Sequence, residues 1–423
     1  HLFHDKFAFV REFSDLLGRD WMMLDADVKG DIYEGRYEGW YCYRCEEFLS
    51  DEELVDKCCP VHHTSPEWVE EDNYFFALSK YEGRLLELYE ECPDFVWPET
   101  RRNEMLGFLR QGLSDFSISR AGASWGIRLP TNPDHAIYVW FDALINYLTG
   151  VGFGQGSESQ AFASRWPANV HVIGKDIVRF HAIYWPAMLM SAGLELPRQI
   201  AVHGWVSFAG EELTQSGGHV VTPAQVIERY GSDVLRYFLL REVAFDRDGD
   251  FSWEAIARRY RDDLGNDLGN LVLRSISMLK RYEDGVVPEI GKVTEIETSL
   301  LALQQTAWEV TATNFENWRF HQALSAIWKY INGVNRYIEQ TEPWKLARED
   351  SERQRLRTVL ATVLDALPKI STMIRPVMPQ TSDNIDAQLG ISGNPAPWGA
   401  SSGVFSAGHK VPGGAALFPR LDG

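Results

Sequence analysis

Basic residues are in short supply: 41 lysines and arginines face 60 aspartates and glutamates, leaving a net charge of −19 over 423 residues. That deficit excludes a surface that coats nucleic acid or anionic membrane everywhere, so any such contact has to use a local basic patch. Long apolar runs are missing as well. None approaches the ~20 residues that a membrane span needs, which excludes a transmembrane helix from this stretch. No charged-then-apolar leader is present, nothing marks the chain for export, and a cytoplasmic location is expected. The chain opens on His1 without an initiating methionine, which suggests a fragment or an incomplete reading. Cysteine is scarce except in one place, since four of the five crowd between Cys42 and Cys59. Such crowding suits a reducing compartment and a metal site better than a disulfide framework. What remains is ample material for a buried core and a soft prior of roughly two to four domains.

The cysteine cluster has a readable spacing. Cys42-Tyr43-Arg44-Cys45 is followed, after thirteen intervening residues, by Cys59-Pro60-Val61-His62. Two Cys-x-x-(Cys/His) pairs at that distance can set three thiolates and one imidazole tetrahedrally around Zn²⁺, closing a loop too short to own a core. A closed site of Cys42, Cys45, Cys59 and His62 is structural, with no open position for a substrate. Cys58 and His63 sit directly beside these residues as rival ligands, and the plain alternative is a set of thiols with an incidental histidine. Cys92, before Pro93, reads as a packed or surface thiol.

The strongest structural signal lies further on, where the periodicity changes at Gly174. Val170 to Ile173 read as a short buried strand, and Asp176 can cap a helix running through Trp185 to about Ala192. A strand that stops at glycine and turns into a capped helix is how open α/β sheets build a ligand crevice, into which Asp176 and His181 would look. Upstream, a strand through Tyr138-Val139 gives way to a helix starting near Asp142, so Trp140 and Tyr147 flank the junction and can wall a pocket for an apolar side chain. Both are equally readable as core aromatics. Elsewhere the pattern predicts helices over Phe7 to Leu17, Lys80 to Tyr89 and Arg101 to Gln111. It predicts strands at Trp21-Met22-Met23-Leu24, Ser117 to Arg120 and Trp125-Gly126-Ile127, and a strand or turn from Tyr74.

In the C-terminal half, Asp263 to Lys280 carries Asn266, Asn270 and Arg274 at i, i+4 and i+8, which puts three polar side chains on one helical face. Amides and a guanidinium so aligned can read base edges in unpaired RNA, and Trp344, just after Pro343, offers a surface for a stacked base. The alternative is a solvated helix face beside a turn capped at Thr341. Arg258, Arg259, Arg261, Arg336 and Lys345 would supply the positive field that the whole chain lacks.

Three runs taken together carry a resemblance. Gly-Asp-Ile-Tyr-x-Gly-x-Tyr-Glu-Gly-x-Tyr-Cys from Gly30, Tyr-Val-Trp-Phe-Asp-Ala from Tyr138, and Ile-Gly-Lys-Asp-Ile-x-x-x-His-x-x-x-Trp-Pro-x-Met-Leu from Ile173 resemble the methionyl-tRNA synthetases, class I aminoacyl-tRNA synthetases. The similarity runs from Gly30 to the end, including Leu417-Phe418-Pro419-Arg420. The fold that it implies is a partial α/β Rossmann-type catalytic domain with a zinc-binding insertion, followed by an all-α anticodon-binding bundle. The implied segments are 1–29, a remnant of the N-terminal Rossmann half; 30–130, the zinc-bearing insertion; 131–208, the second Rossmann half; 209–255, the phosphate-loop and stem-contact region; 256–390, the anticodon-binding domain; and 391–423, a tail packing back. The implied reaction is ATP-dependent formation of methionyl-adenylate, then transfer of methionine to tRNA(Met), with ATP/Mg²⁺ as substrate and structural Zn²⁺. By the resemblance, Trp140, Tyr147 and His181 recognise methionine with Asp176 at the crevice floor, and Asn270, Arg274 and Trp344 read the anticodon.

Two departures cut against that implication. Class I enzymes carry a His-Ile-Gly-His-type motif, and His1-Leu2-Phe3-His4 has phenylalanine in place of its glycine. The second departure is chemical. Where the family has Lys-Met-Ser-Lys-Ser, this chain has Glu212-Leu213-Thr214-Gln215-Ser216, so both lysines are lost. Those ammoniums stabilise charge developing on the triphosphate, and losing one such group typically costs ~2.7–4 kcal/mol. A paralogue recruited to activate another amino acid, like the synthetase-like half of hydrazine synthetases, is therefore a second reading. A tRNA-binding module without ATP chemistry is a third.

Overall fold

A computed structural model describes residues 29–44, 47–49, 51, 54–60, 63–122, 125–129, 132–153, 160–208, 211–212, 221–392, 396–400 and 404–421. The expected elements at Phe7 to Leu17 and Trp21 to Leu24, the run His1 to His4, and Cys45, His62, Leu213, Thr214, Gln215 and Ser216 lie outside the described residues. The chain divides into two compact units, His1–His203 and Gly204–Gly423.

Strands of the first unit are, in chain order, β1 (Ile32–Cys42), β2 (Glu47–Leu49), β3 (Glu67–Phe76), β4 (Val96–Trp97), β5 (Phe116–Ser117), β6 (Ser119–Ala121), β7 (His135–Ile137), β8 (His171–Gly174) and β9 (Ile200–His203). β4, β9 and β8 form a parallel sheet in that order, and residues 175–199 supply the crossover that parallel neighbours require. Along β8 the side chains alternate: His171 and Ile173 are buried while Val172 is 53% exposed. Ile173, Ile200 and Val202 join one core with Leu85, Tyr89, Phe141, Ile183, Trp185 and Leu189. Among the described residues the unit also has helices α1 (Glu82–Glu91), α2 (Glu99–Arg110), α3 (Val139–Thr149), α4 (Gln160–Arg165) and α5 (Trp185–Ala192).

β1 and β3 make a long antiparallel ribbon, from Ile32↔Phe76 to Tyr41↔Glu67, flanked by β2 and β5. The strand at Ser117 to Arg120 is split between β5 and β6, and Trp125-Gly126-Ile127 is not a strand. An isolated bridge joins Arg128 to Ala136 instead, and Gly126 sits at a φ of 129° that breaks the extended run. Helix α3 starts at Val139, three residues earlier than expected, so Trp140 belongs to the helix and not to the strand. Asp176 does not cap a helix. It lies in a single 3₁₀ turn, Lys175–Ile177, followed by a π-helical turn, Phe180–Tyr184, and neither these nor α5 has a side-chain cap.

The second unit is mostly helical: α6 (Pro223–Tyr230), α7 (Ser232–Glu242), α8 (Trp253–Arg259), α9 (Asn270–Glu283), α10 (Glu295–Glu316), α11 (Phe320–Thr341), α12 (Pro343–Leu346), α13 (Arg353–Ile374) and α14 (Pro379–Leu389). Trp308, Tyr330, Ile331, Leu364, Leu367 and Ile370 are among its buried core. A small sheet, β11 (Glu211–Glu212), β10 (Val206–Phe208) and β12 (Gly249–Phe251), adjoins the helices. Gly204 permits it, since a Cβ there would lie 2.2 Å from the Arg247 backbone. Residues 404–421 return along the bundle. Tyr260 donates to the Pro419 carbonyl at 2.6 Å, and the Gly413 amide donates to the Gln388 carbonyl at 2.8 Å.

Candidate functional site

Trp140 and Tyr147 sit seven residues apart on α3, two turns along one face. Tyr147 Oη lies 2.8 Å from His181 Nε2, and His181 Nδ1 lies 2.9 Å from the Ile177 carbonyl. Because a carbonyl can only accept, the proton is on Nδ1, and Nε2 accepts from the Tyr147 hydroxyl. His181 sits in the π turn, and its ring reaches back four residues to the Ile177 carbonyl. Trp140 stacks flat on the neighbouring Phe180, with centroids 3.9 Å apart and planes 8° from parallel. The structure thus brings Tyr147 and His181 into direct contact and sets Trp140 beside them through Phe180.

Two features behind this wall were not read from the sequence. His171, from β8, packs against the Tyr147 ring at 4.2 Å between centroids, and its Nε2 accepts from the Trp185 indole N–H at 3.3 Å. Both imidazoles are neutral at ordinary pH. Burial, helped by the nearby His181, pushes His171 down to about 4. Burial also lowers His181, against opposing pulls from the Ile177 carbonyl and Asp176. Burial raises Tyr147 and, at the start of α3, Asp142. Asp176 itself is exposed, with its carboxylate against Gly174, where a Cβ would come within 2.5 Å of Oδ1. It acts on His181 as a nearby charge from a solvated position, not as a buried floor.

At the cysteine cluster, Cys42 ends β1 and packs with Cys59 and Leu49 in a small buried group. Asp56 and Lys57, both at positive φ, make a two-residue hairpin between Val55 and Cys58. The His63 amide then donates to the Cys59 carbonyl at 2.9 Å. Of the rival ligands, Cys58 is half-buried and His63 is exposed. No group of three or more metal-binding side chains occurs among the described residues, which leave out Cys45 and His62.

In the second unit, the expected uniform helix over Asp263 to Lys280 is a π-helical segment, Tyr260–Gly269, followed by α9. Asn266 lies in the π segment and Asn270 opens α9, and both are exposed. Arg274 is half-buried and held by Asn335 Oδ1 at 2.9 Å and by Glu339, both on α11. Carbonyls of the π segment are used from α11 too: Asp263 accepts from Trp328 and Asp267 from Asn335. Trp344, in α12, is half-buried against the core. The residue before α12 is Glu342 in a left-handed conformation, while Thr341 bonds back to Tyr337, so the turn is not capped by Thr341. Four of the five expected cations are ion-paired: Arg258 and Arg259 to Glu242, Arg261 to Asp262 and Lys345 to Glu342. The local positive field is correspondingly weaker than a count of arginines suggests. Glu212 falls in β11, opposite Ser207.

Residues 51–276 match the family model of tRNA synthetases class I (M), and residues 298–396 match that of the anticodon-binding domain of tRNA ligases. The methionine–tRNA ligase of Caldanaerobacter subterraneus subsp. tengcongensis is 46% identical over 395 residues, covering 93% of this chain and 62% of the relative. That of Mycobacterium leprae is 44% identical over 95% of this chain and 75% of the relative. The chain belongs to the methionyl-tRNA synthetase family. A solved structure of Mycobacterium tuberculosis methionyl-tRNA synthetase in complex with methionyl-adenylate superposes with a TM-score of 0.89 at 43% identity, covering 94% of this chain and 79% of that one. The chain thus has a class I synthetase domain followed by a helical anticodon-binding domain. It spans under two thirds of the length of the first relative. The names of these synthetases do not favour a paralogue recruited to another amino acid. No helix among the described residues is long and apolar enough to cross a membrane.

Proposed function

We propose that this chain is the methionine- and tRNA-recognising part of a methionine–tRNA ligase acting in the cytoplasm, which activates methionine with ATP/Mg²⁺ and transfers it to tRNA(Met). The observation that carries the reading is the uncharged relay from Tyr147 through His181 to the Ile177 carbonyl, beside the Trp140–Phe180 stack. A thioether has no formal charge and favours aromatic edges, so a pocket of aromatic walls and neutral polar atoms suits it better than a charged side chain. Asp176, near His181, belongs to the proposed methionine site. No side-chain nucleophile is required, since adenylation in this class rests on positioning and charge stabilisation.

The second half of a Rossmann-type catalytic domain is the natural assignment for the β4-β9-β8 sheet, with the 30–130 region as a zinc-bearing insertion. Burial of Cys42 and Cys59 together, with Cys58 and His63 more open, supports Cys42, Cys45, Cys59 and His62 as ligands. Bound Zn²⁺ would tie the end of β1 to the 59–62 turn. Elemental analysis of the purified protein should find about one zinc per chain, lost in Cys59→Ala; a metal-free wild-type chain would discard the site.

For the RNA, Asn266, Asn270, Arg274 and Trp344 form the proposed anticodon face. Trp344→Ala should weaken binding of tRNA(Met) by ~1–3 kcal/mol if a base stacks there. Filter binding at fixed salt measures this, and an unchanged affinity would remove Trp344 from the anticodon face.

A further inference from the structure

A histidine on the inner face of a parallel strand is an expensive choice. The inner face of β8 is buried while Val172 on its other face is exposed, and His171 shares that inner face with Ile173, with 5% of its surface exposed. Its burial disfavours the charged form and leaves a polar ring in an apolar core, where any polar atom needs a partner. The partner is Trp185, itself completely buried, whose indole N–H donates to His171 Nε2. This fixes the tautomer, with the proton on Nδ1. The fixed ring lies against one side of the Tyr147 ring, with centroids 4.2 Å apart, while His181 meets Tyr147 on its hydroxyl side. The two imidazoles are 6.4 Å apart with Tyr147 contacting each, so moving His171 lets the phenol move.

We propose that His171 is a positioning residue for the amino-acid pocket: anchored by Trp185, it braces Tyr147 so that its hydroxyl stays bonded to His181 and presents a fixed wall to the substrate side chain. This inference rests on the reading of the pocket as a methionine site. His171 touches no reacting atom and takes no proton. Its contribution is to the geometry of Tyr147, and through it to how tightly the amino acid is held.

Calorimetric titration of methionine into the purified protein and its variants tests this. His171→Leu removes the acceptor for Trp185 and should weaken methionine binding roughly tenfold, whereas His171→Gln, long enough to accept from the indole, should stay within about threefold of wild type. Should His171→Leu fail to fold, as judged by its circular dichroism melt, His171→Asn takes its place, being polar but too short to reach Trp185. Because the effect passes through Tyr147, the loss from His171→Leu (or His171→Asn) should largely vanish in a Tyr147→Phe background. Equal affinity in a folded His171→Leu or His171→Asn protein, no recovery in His171→Gln, or full additivity with Tyr147→Phe would each overturn the inference. A wild-type protein that binds no methionine would overturn the pocket reading itself and the role of His171 with it. Normal wild-type binding with an unaffected His171→Leu protein would overturn the inference alone.

Discussion

Putting lysine at positions 212 and 215 should raise methionine-dependent ATP–pyrophosphate exchange by roughly 10²–10³ for each ammonium restored, from a low starting rate. The reason is where charge appears. As pyrophosphate departs, negative charge grows on its oxygens, and a preorganised ammonium stabilises that state more than the bound triphosphate. Gln215 offers only a neutral dipole. Glu212 is worse than neutral, because a carboxylate in place of an ammonium replaces attraction to phosphate by repulsion of similar size. The lysine at 212 should therefore give the larger gain, and Glu212→Gln a smaller one by lifting the repulsion alone. Glu211→Lys, one position outside the motif, is the control and should change little. Robust exchange by the wild-type protein, with no gain from lysine, would remove the case for an altered phosphate loop.

The second large effect concerns the helical bundle. Glu297→Ala should cost on the order of 3–5 kcal/mol, since removing one member of a buried ionic group strands its partners. Glu297 closes a capping box with Thr294 at the start of α10, accepting from the Thr294 amide at 2.8 Å and from its hydroxyl at 2.6 Å. The same carboxylate accepts from Tyr337 of α11 and from Arg355 of α13, so a single side chain pins three helices. Burial alone would raise its pKa; hydrogen bonds from Arg355, Thr294 and Tyr337 outweigh that and hold the carboxyl down at about 2. A carboxyl depressed in the folded state stabilises fully above its unfolded pKa of ~4.3 and loses that contribution as the pH falls toward 2. Acid melts of the wild type should therefore be steeper between about pH 4.5 and 2 than those of Glu297→Gln, whose melting point starts lower. Parallel acid profiles for the two proteins would contradict this account.

Much of the first unit was legible because its signals are local. The strand ending at Gly174, the helix through Ala192, the helices at 82–91 and 99–110, and the clustering of cysteines all follow from short-range periodicity and spacing. β1 was not. Its run does alternate in burial, with Glu34, Arg36 and Glu38 exposed and Gly35, Tyr37 and Gly39 turned inward, but two of those three inward residues are glycines, so no apolar alternation announces a strand. π-helical turns are equally invisible to a search at 3.6 residues per turn, yet they carry His181 and Asn266. Arg274 looked like an exposed reader of bases. Its partners Asn335 and Glu339 lie 61 and 65 residues away, and no local pattern marks them. The role of His171 was hidden for the opposite reason. In an apolar strand a lone histidine reads as core, and only its contacts with Tyr147 and Trp185 distinguish it.

Trp140, Tyr147 and His181 form the proposed site for the methionine side chain. Heat measured on titrating methionine into the wild-type protein should describe one site per chain, with binding lost when Tyr147 and His181 are changed together to phenylalanine and leucine. Absence of binding by wild type, or binding that survives the double change, would contradict it.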